Sequence, residues 1–263
     1  MLRLPRPALA LALAGVLAGC SSLEEDKTAN WTPERIYTEA RDEVSAGGYD
    51  KAVPLFEKLE GRAAGTPLAQ QAQLEKAYAQ YKAGERADAI ATLDRFMKLH
   101  PSSPAYDYAL YLKGLTNFND KLGLFSWLSR QDLSERDQKA AKESYESFYE
   151  LVQRFPGSRY APDAQQRMTY IINSLAQYEV HVARYYYERG AYVAAIGRAQ
   201  AALSDYQGVP ASEEALRILA NSYDKLGMTD LRDDALRVLE ANFSAESAES
   251  ALRKDRKPWW KLW

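Results

Sequence analysis

The chain has 263 residues, with 34 basic and 36 acidic side chains, a net charge of −2 and 46% hydrophobic residues. That near-balance lacks the basic footprint a nucleic-acid binder needs, and no nucleic-acid partner is expected. The single cysteine excludes an intramolecular disulfide framework, so stability must come from packing, in a chain long enough for one large domain or two small ones.

Residues 1–19 open with Arg3 and Arg6 and continue almost wholly in Ala and Leu, the pattern of a secretory signal peptide. The apolar run is shorter than the ~20 residues a spanning helix requires. Its removal takes two positive charges with it, leaving a net charge of −4. The last three residues of this stretch with the cysteine that follows, Leu17-Ala18-Gly19-Cys20, resemble the lipobox of bacterial lipoproteins, which implies that Cys20 becomes the acylated first residue of the mature protein. A nucleophilic thiol would need a basic or polar pocket, and Cys20 sits in an apolar export signal instead. Several acyl chains anchor a protein far more firmly than one. Ser21 follows the cysteine, and by the lipoprotein rule that Asp in that place retains a protein in the inner membrane, the expected address is the periplasmic leaflet of the outer membrane. Residues 20–32 are mostly polar and aperiodic, suited to a lipidated flexible tether.

From Pro33 onward apolar residues recur at three and four positions, Gly and Pro punctuate them, and no alternating strand pattern occurs. The chain reads as all-α. Three segments share a corner: SAGGYDKAVPLFEKL (45–59), YKAGERADAIATLDRFMKLHP (81–101) and YERGAYVAAIGRAQAAL (187–203). Small residues allow two helices to cross closely, and glycine tolerates the positive φ of the turn. Ala77 and Ala89, and Ala183 and Ala195, are the expected contacts; Gly84 and Gly190 are the expected turns, and Pro101 stops its helix. The pattern resembles the tetratricopeptide repeat and implies a right-handed superhelix of five helical hairpins: 33–46 with 49–60, 67–82 with 86–99, 104–116 with 138–154, 161–189 with 192–206, and 212–227 with 229–242. Repeats 1–3 occupy 33–156 and repeats 4–5 occupy 157–243. Residues 117–137 interrupt the third hairpin, and the first helix of the fourth is nearly double length. Both read as interaction features, against the plainer reading of tolerated loop growth on a solenoid. The concave face of such a stack binds extended or helical peptides.

Little in the sequence suggests chemistry. His100 and His181 have no second ligand at i+3 or i+4, so no metal is expected. The pairs Glu213-Glu214 and Asp233-Asp234 lie at helix starts, where they favour the macrodipole. No phosphate loop, nucleophile elbow or paired catalytic motif is present, so no cofactor and no enzymatic activity are expected, an unsigned carboxylate pair being the remaining catalytic alternative. Tyrosine is the stronger signal, with 18 in the chain, because it joins large apolar area to a polar tip. Residues 244–263 form a basic, Trp-rich tail ending RKDRKPWWKLW, which is open to three readings: a lipid headgroup contact, a partner contact, or a disordered end.

RFPGSRYAPDAQQRM (154–168), the following LAQYEVHVARYYYERGAYVAAIGRAQAAL, YALYLKGLTNF (108–118) and SERD in the insertion resemble the BamD family, lipoprotein subunits of the outer-membrane β-barrel assembly machine. The resemblance extends from Cys20 to about residue 242. It implies a non-enzymatic scaffold whose C-terminal repeats dock on the last periplasmic POTRA domain of BamA. The N-terminal repeats would receive C-terminal targeting signals of unfolded outer-membrane β-barrel proteins, with BamC- and BamE-type lipoproteins as further partners. It also implies residue roles. Arg198 matches an arginine that ion-pairs with BamA, Arg95 and Lys98 match basic positions in substrate recognition, and Tyr78 and Tyr81 lie near them. A lipoprotein that scaffolds cell-wall synthesis or envelope attachment through the same repeats is the alternative; no sustained heptad supports the coiled coil such proteins usually add.

Overall fold

Ten helices and no strand occur among the described residues, 27–118 and 135–243, of the computed structural model. The leader, Cys20, most of the tether, the interior of the insertion and the tail lie outside those residues. In chain order the helices are α1 (Pro33–Ser45), α2 (Tyr49–Arg62), α3 (Pro67–Ala83), α4 (Arg86–Leu99), α5 (Tyr106–Asn117), α6 (Glu135–Arg154), α7 (Ala161–Glu188), α8 (Tyr192–Asp205), α9 (Ala211–Lys225) and α10 (Thr229–Asn242). They pair as five antiparallel hairpins, each helix packing on its predecessor. Across repeats, α3 also touches α5 and α7 touches α9, so the first helices of successive hairpins adjoin.

The local causes are those expected of the sequence. Thr32 and Thr66 cap α1 and α3, each side-chain oxygen accepting from the backbone N–H three residues on, and Pro33 and Pro67 follow with φ already set for a helix. Gly84 ends α3 at φ +83°, where the Glu85 N–H reaches back to the Gln80 carbonyl at 2.9 Å. Gly190 repeats this at φ +76°, with Ala191 N–H on the Tyr186 carbonyl at 3.0 Å. A residue with a Cβ is strained at that φ, while glycine is not. Such a tight turn lets the paired helices approach, and Ala77, Ala89, Ala183 and Ala195 are all fully buried where they meet.

Most helix ends fall within two residues of the sequence expectation, and two of the starts that shift belong to the interrupted third hairpin. α5 starts at Tyr106 rather than 104, because Pro104 lies in a turn in which the Tyr106 N–H bonds to the Ser103 carbonyl. α6 starts at Glu135 rather than 138. α7, at 28 residues, is twice the length of α8. Its first half packs Ala164, Met168, Ile171 and Leu175 into a core with Phe148 and Leu151 of α6, and its second half packs Val180 and Ala183 into a separate core with α8 and α9.

Candidate functional site

A concavity of about 890 Å³ opens where the first helices of repeats 1–3 adjoin. α3 supplies a stripe with helical spacing, Gln70, Gln71, Leu74, Glu75 and Tyr78, which a single face of a helix presents together. Arg41 enters from α1, Tyr108 from α5, and Arg159 with Tyr160 from the corner before α7.

Tyr108 and Tyr160 line its far wall. Tyr160 stacks on Tyr111 with centroids 4.7 Å apart and lies 5.6 Å from Tyr108. Tyr111 donates to Asp163 Oδ2 at 2.7 Å, and Arg167 Nε donates to the same oxygen at 2.6 Å, which ties the wall to the start of α7. Burial pushes the Tyr108 phenol well above its ordinary value of 10, with the Glu75 carboxylate adding to the rise, so it stays a neutral hydrogen-bond donor. Charge in the cavity is unevenly committed. Arg41 Nη1 is held by Glu75 Oε1 at 2.6 Å, and Asp107 accepts from Ser158 Oγ at 2.6 Å. Arg159 is exposed, its guanidinium 4.8 Å from the centre of the Tyr160 ring, and it has no ion-pair partner among the described residues. The arrangement offers aromatic faces, a phenol donor and an available cation to a chain segment laid across α3. Among the described residues, no three His, Cys, Asp or Glu side chains gather as a metal site.

The structure separates the four residues expected near the substrate. Tyr78 lines the cavity. Tyr81 is half-buried against the Leu74, Ala77, Leu93 and Phe96 core. Arg95 and Lys98 are exposed on α4 and do not line the cavity. Arg95 joins a network instead, its Nη2 lying 2.8 Å from Glu60 Oε1, while Glu60 also holds the buried Lys76 at 3.0 Å. Arg41, Glu75, Arg159 and Tyr160 were not singled out from sequence. The α3 stripe was the available signal for Glu75, and the SRYAP corner for the other wall.

The second expected contact lies on repeat 4. Arg198 of α8 is half-exposed, and its Nη1 meets the nearly buried Glu179 of α7 at 3.1 Å. The hydrogen bond it donates to Glu179 raises its already high pKa, so the guanidinium is permanently charged. Gly197 beside it is exposed and Ala199 is fully buried, so the arginine stands clear of bulky neighbours. Along the hairpin-turn edge of repeats 4 and 5, Tyr185, Val193, Met228 and Leu231 expose 46–72% of their surface.

A family model described as YfiO, outer membrane lipoprotein, matches residues 29–238, which span the cavity and Arg198 alike. The chain belongs to this family. Among its YfiO-family relatives, the outer membrane protein assembly factor BamD of Neisseria meningitidis serogroup B (strain MC58) is 44% identical over 261 residues, covering 97% of this chain and 98% of that one. The BamD of Xylella fastidiosa (strain Temecula1) is 36% identical over 236 residues, 89% of this chain and 80% of that one. The Vibrio cholerae BamD is 34% identical over 235 residues, 88% and 97% of the two chains. The YfiO family is one of outer membrane lipoproteins, and no described helix of this member is long and apolar enough to cross a membrane.

Proposed function

We propose that this chain is a non-enzymatic scaffold lipoprotein of outer-membrane protein assembly, moored by acylated Cys20 in the periplasmic leaflet of the outer membrane. Repeats 1–3 receive the C-terminal targeting segment of an unfolded β-barrel protein. Repeats 4–5 dock on the periplasmic POTRA domain of BamA, and BamC- and BamE-type lipoproteins are further partners. The observation that carries the reading is the 890 Å³ cavity, whose aromatic wall and available Arg159 match a segment that is amphipathic, aromatic and anionic at its end. Tyr78 meets the client inside the cavity. Tyr81, Arg95 and Lys98 would act beside it, along the path by which the client approaches over α4.

Photoreactive residues at 78, 81, 95, 98 and 159, exposed to a peptide carrying a barrel protein's C-terminal strand, test this. Labelling at 78 and 159 is the expected result, and labelling confined to repeat 5 rejects it. Arg159→Glu is expected to weaken peptide binding about tenfold, the ~1.4 kcal/mol of one charge-assisted contact.

For the BamA surface, support comes from the permanent charge of Arg198 and the exposed apolar edge of repeats 4 and 5, a mixture typical of a protein interface. Arg198→Glu is expected to reduce co-purification of BamA from detergent-solubilised membranes while circular dichroism shows unchanged helicity. Undiminished co-purification removes Arg198 from the interface.

A further inference from the structure

Residues 253–263, RKDRKPWWKLW, carry five cations, one acid and three tryptophans, and neither client nor BamA binding as proposed uses them. A second cavity of about 330 Å³ opens on the face bearing α4 and α6, over α5. Ile90, Met97 and Leu110 give it an apolar floor, while Asp94, Glu143, Glu146 and Glu150 stand around it. Lys113 is the one cation lining it, and Asp94 already holds that ammonium at 2.6 Å. Glu146 is exposed and has no ion pair among the described residues. One step round α6, Tyr149 exposes 48% of its surface and stacks on Tyr145 at 6.1 Å. Lys139 lies 3.7 Å from Glu143 and Arg154 pairs with Glu150, both across solvent-exposed contacts that contribute little, so the lining keeps four carboxylates beside one cation of its own, with Glu146 uncommitted. Over an apolar floor with an aromatic rim, that favours a segment both cationic and aromatic.

The chain supplies such a segment within reach. As second helices of their hairpins, α4, α6 and α10 run in the same direction, and the cavity is lined by the C-terminal halves of α4 and α6. The chain therefore leaves α10 on the edge of the stack toward which α4 and α6 also run, two repeats from the cavity. Neighbouring helices sit ~8–10 Å apart, so two repeats amount to a few tens of ångströms. The nine residues between Phe243 and Arg253 extend to ~30 Å, and the 15 between Phe243 and Trp259 to ~50 Å. We propose that residues 253–263 dock in this cavity of their own chain, tryptophan on the apolar floor and Lys and Arg against Glu143, Glu146 and Glu150. The tail then straps repeat 5 to repeats 2 and 3.

The test places a photoreactive residue at 260 in the full mature chain, at high dilution in mild detergent, and maps its crosslinks by mass spectrometry. Crosslinks within one molecule to residues 90–113 and 143–150 are expected. They should fall at least fivefold in 0.5 M NaCl and in Glu143→Lys/Glu146→Lys/Glu150→Lys, with helicity checked by circular dichroism. Reversing the tail charges, Arg253→Glu/Lys254→Glu/Arg256→Glu/Lys257→Glu, leaves the repeats untouched and should produce the same loss. With phosphatidylglycerol vesicles present, the intramolecular crosslink should persist. Transfer of the label to lipid, crosslinks only between molecules, or crosslinks indifferent to both charge reversals would each overturn the proposal.

Discussion

At the scale of single residues, Glu60 and Gly114 carry the sharpest consequences. Burial alone would raise the Glu60 carboxyl, but hydrogen bonds from Lys76 and Gln73 and the charges of Lys76 and Arg95 outweigh it and hold the group below its ordinary value of 4.5. A carboxyl depressed in the folded state adds stability above its ordinary value, and that stability is lost as pH falls through the folded value. Glu60→Gln, which leaves the buried Lys76 ammonium only the exposed Glu57 at 4.0 Å as counter-charge, is therefore expected to cost about 3 kcal/mol at pH 7. The gap from the parent protein should narrow steadily below pH 4 in urea titrations; a gap independent of pH would remove the ionised Glu60 from the account. Gly114 is a different case. A Cβ there would lie 2.4 Å from Phe148 Cε1, and its carbonyl accepts from Ser144 Oγ at 2.8 Å. Gly114→Ala should destabilise by about 2 kcal/mol through overpacking. Gly61, on α2 with open space around its Cβ position, is the control, and Gly61→Ala should be neutral or slightly stabilising in the same titration.

At the scale of elements, the hairpins were legible because the features that build them are local. A glycine turn, alanines at the crossing and a proline stop all lie within one short window, so the sequence alone places the helices to within about three residues, a typical margin for helix ends. Gly114 shows where that legibility stops. It sits inside α5 rather than in a turn, and its requirement comes from Phe148 on the far side of the insertion. The cavity was less legible still. Arg41, Glu75, Tyr108 and Arg159 come from three helices and a corner, and only the stacking of repeats brings them together. Residue-by-residue resemblance pointed to Arg95 and Lys98 on α4, the second helix of its hairpin, whereas the cavity draws its helical wall chiefly from first helices. Arg184 with Glu214, and Arg217 with Glu213, likewise give the adjacent acids of α9 intramolecular partners on different sides, as two neighbours on a helix must have.

At the scale of the whole molecule, a solenoid holds itself together through nearest neighbours, so nothing automatically keeps its two ends in register. α7 is the exception, because its two halves belong to two cores and it carries both Asp163, partner of Tyr111 at the cavity wall, and Glu179, partner of Arg198. A single rod thus fixes the cavity of repeats 1–3 relative to the Arg198 surface of repeat 4, the two surfaces proposed to meet client and BamA. Gln177 is exposed between the two cores, which makes it a place to cut the rod without emptying either core. Proline there removes one backbone hydrogen bond and clashes with the Asn173 carbonyl, at a cost of ~3 kcal/mol or more. Because the cost falls on the junction, Gln177→Pro is expected to split one cooperative calorimetric transition into two, while Gln177→Ala keeps one. Peptide binding at repeats 1–3 and BamA binding at repeats 4–5 should each survive in the proline variant, since each surface rests on its own core. If the variant instead melts in a single transition at lower temperature, the two halves are one cooperative unit and coupling does not run through the middle of α7.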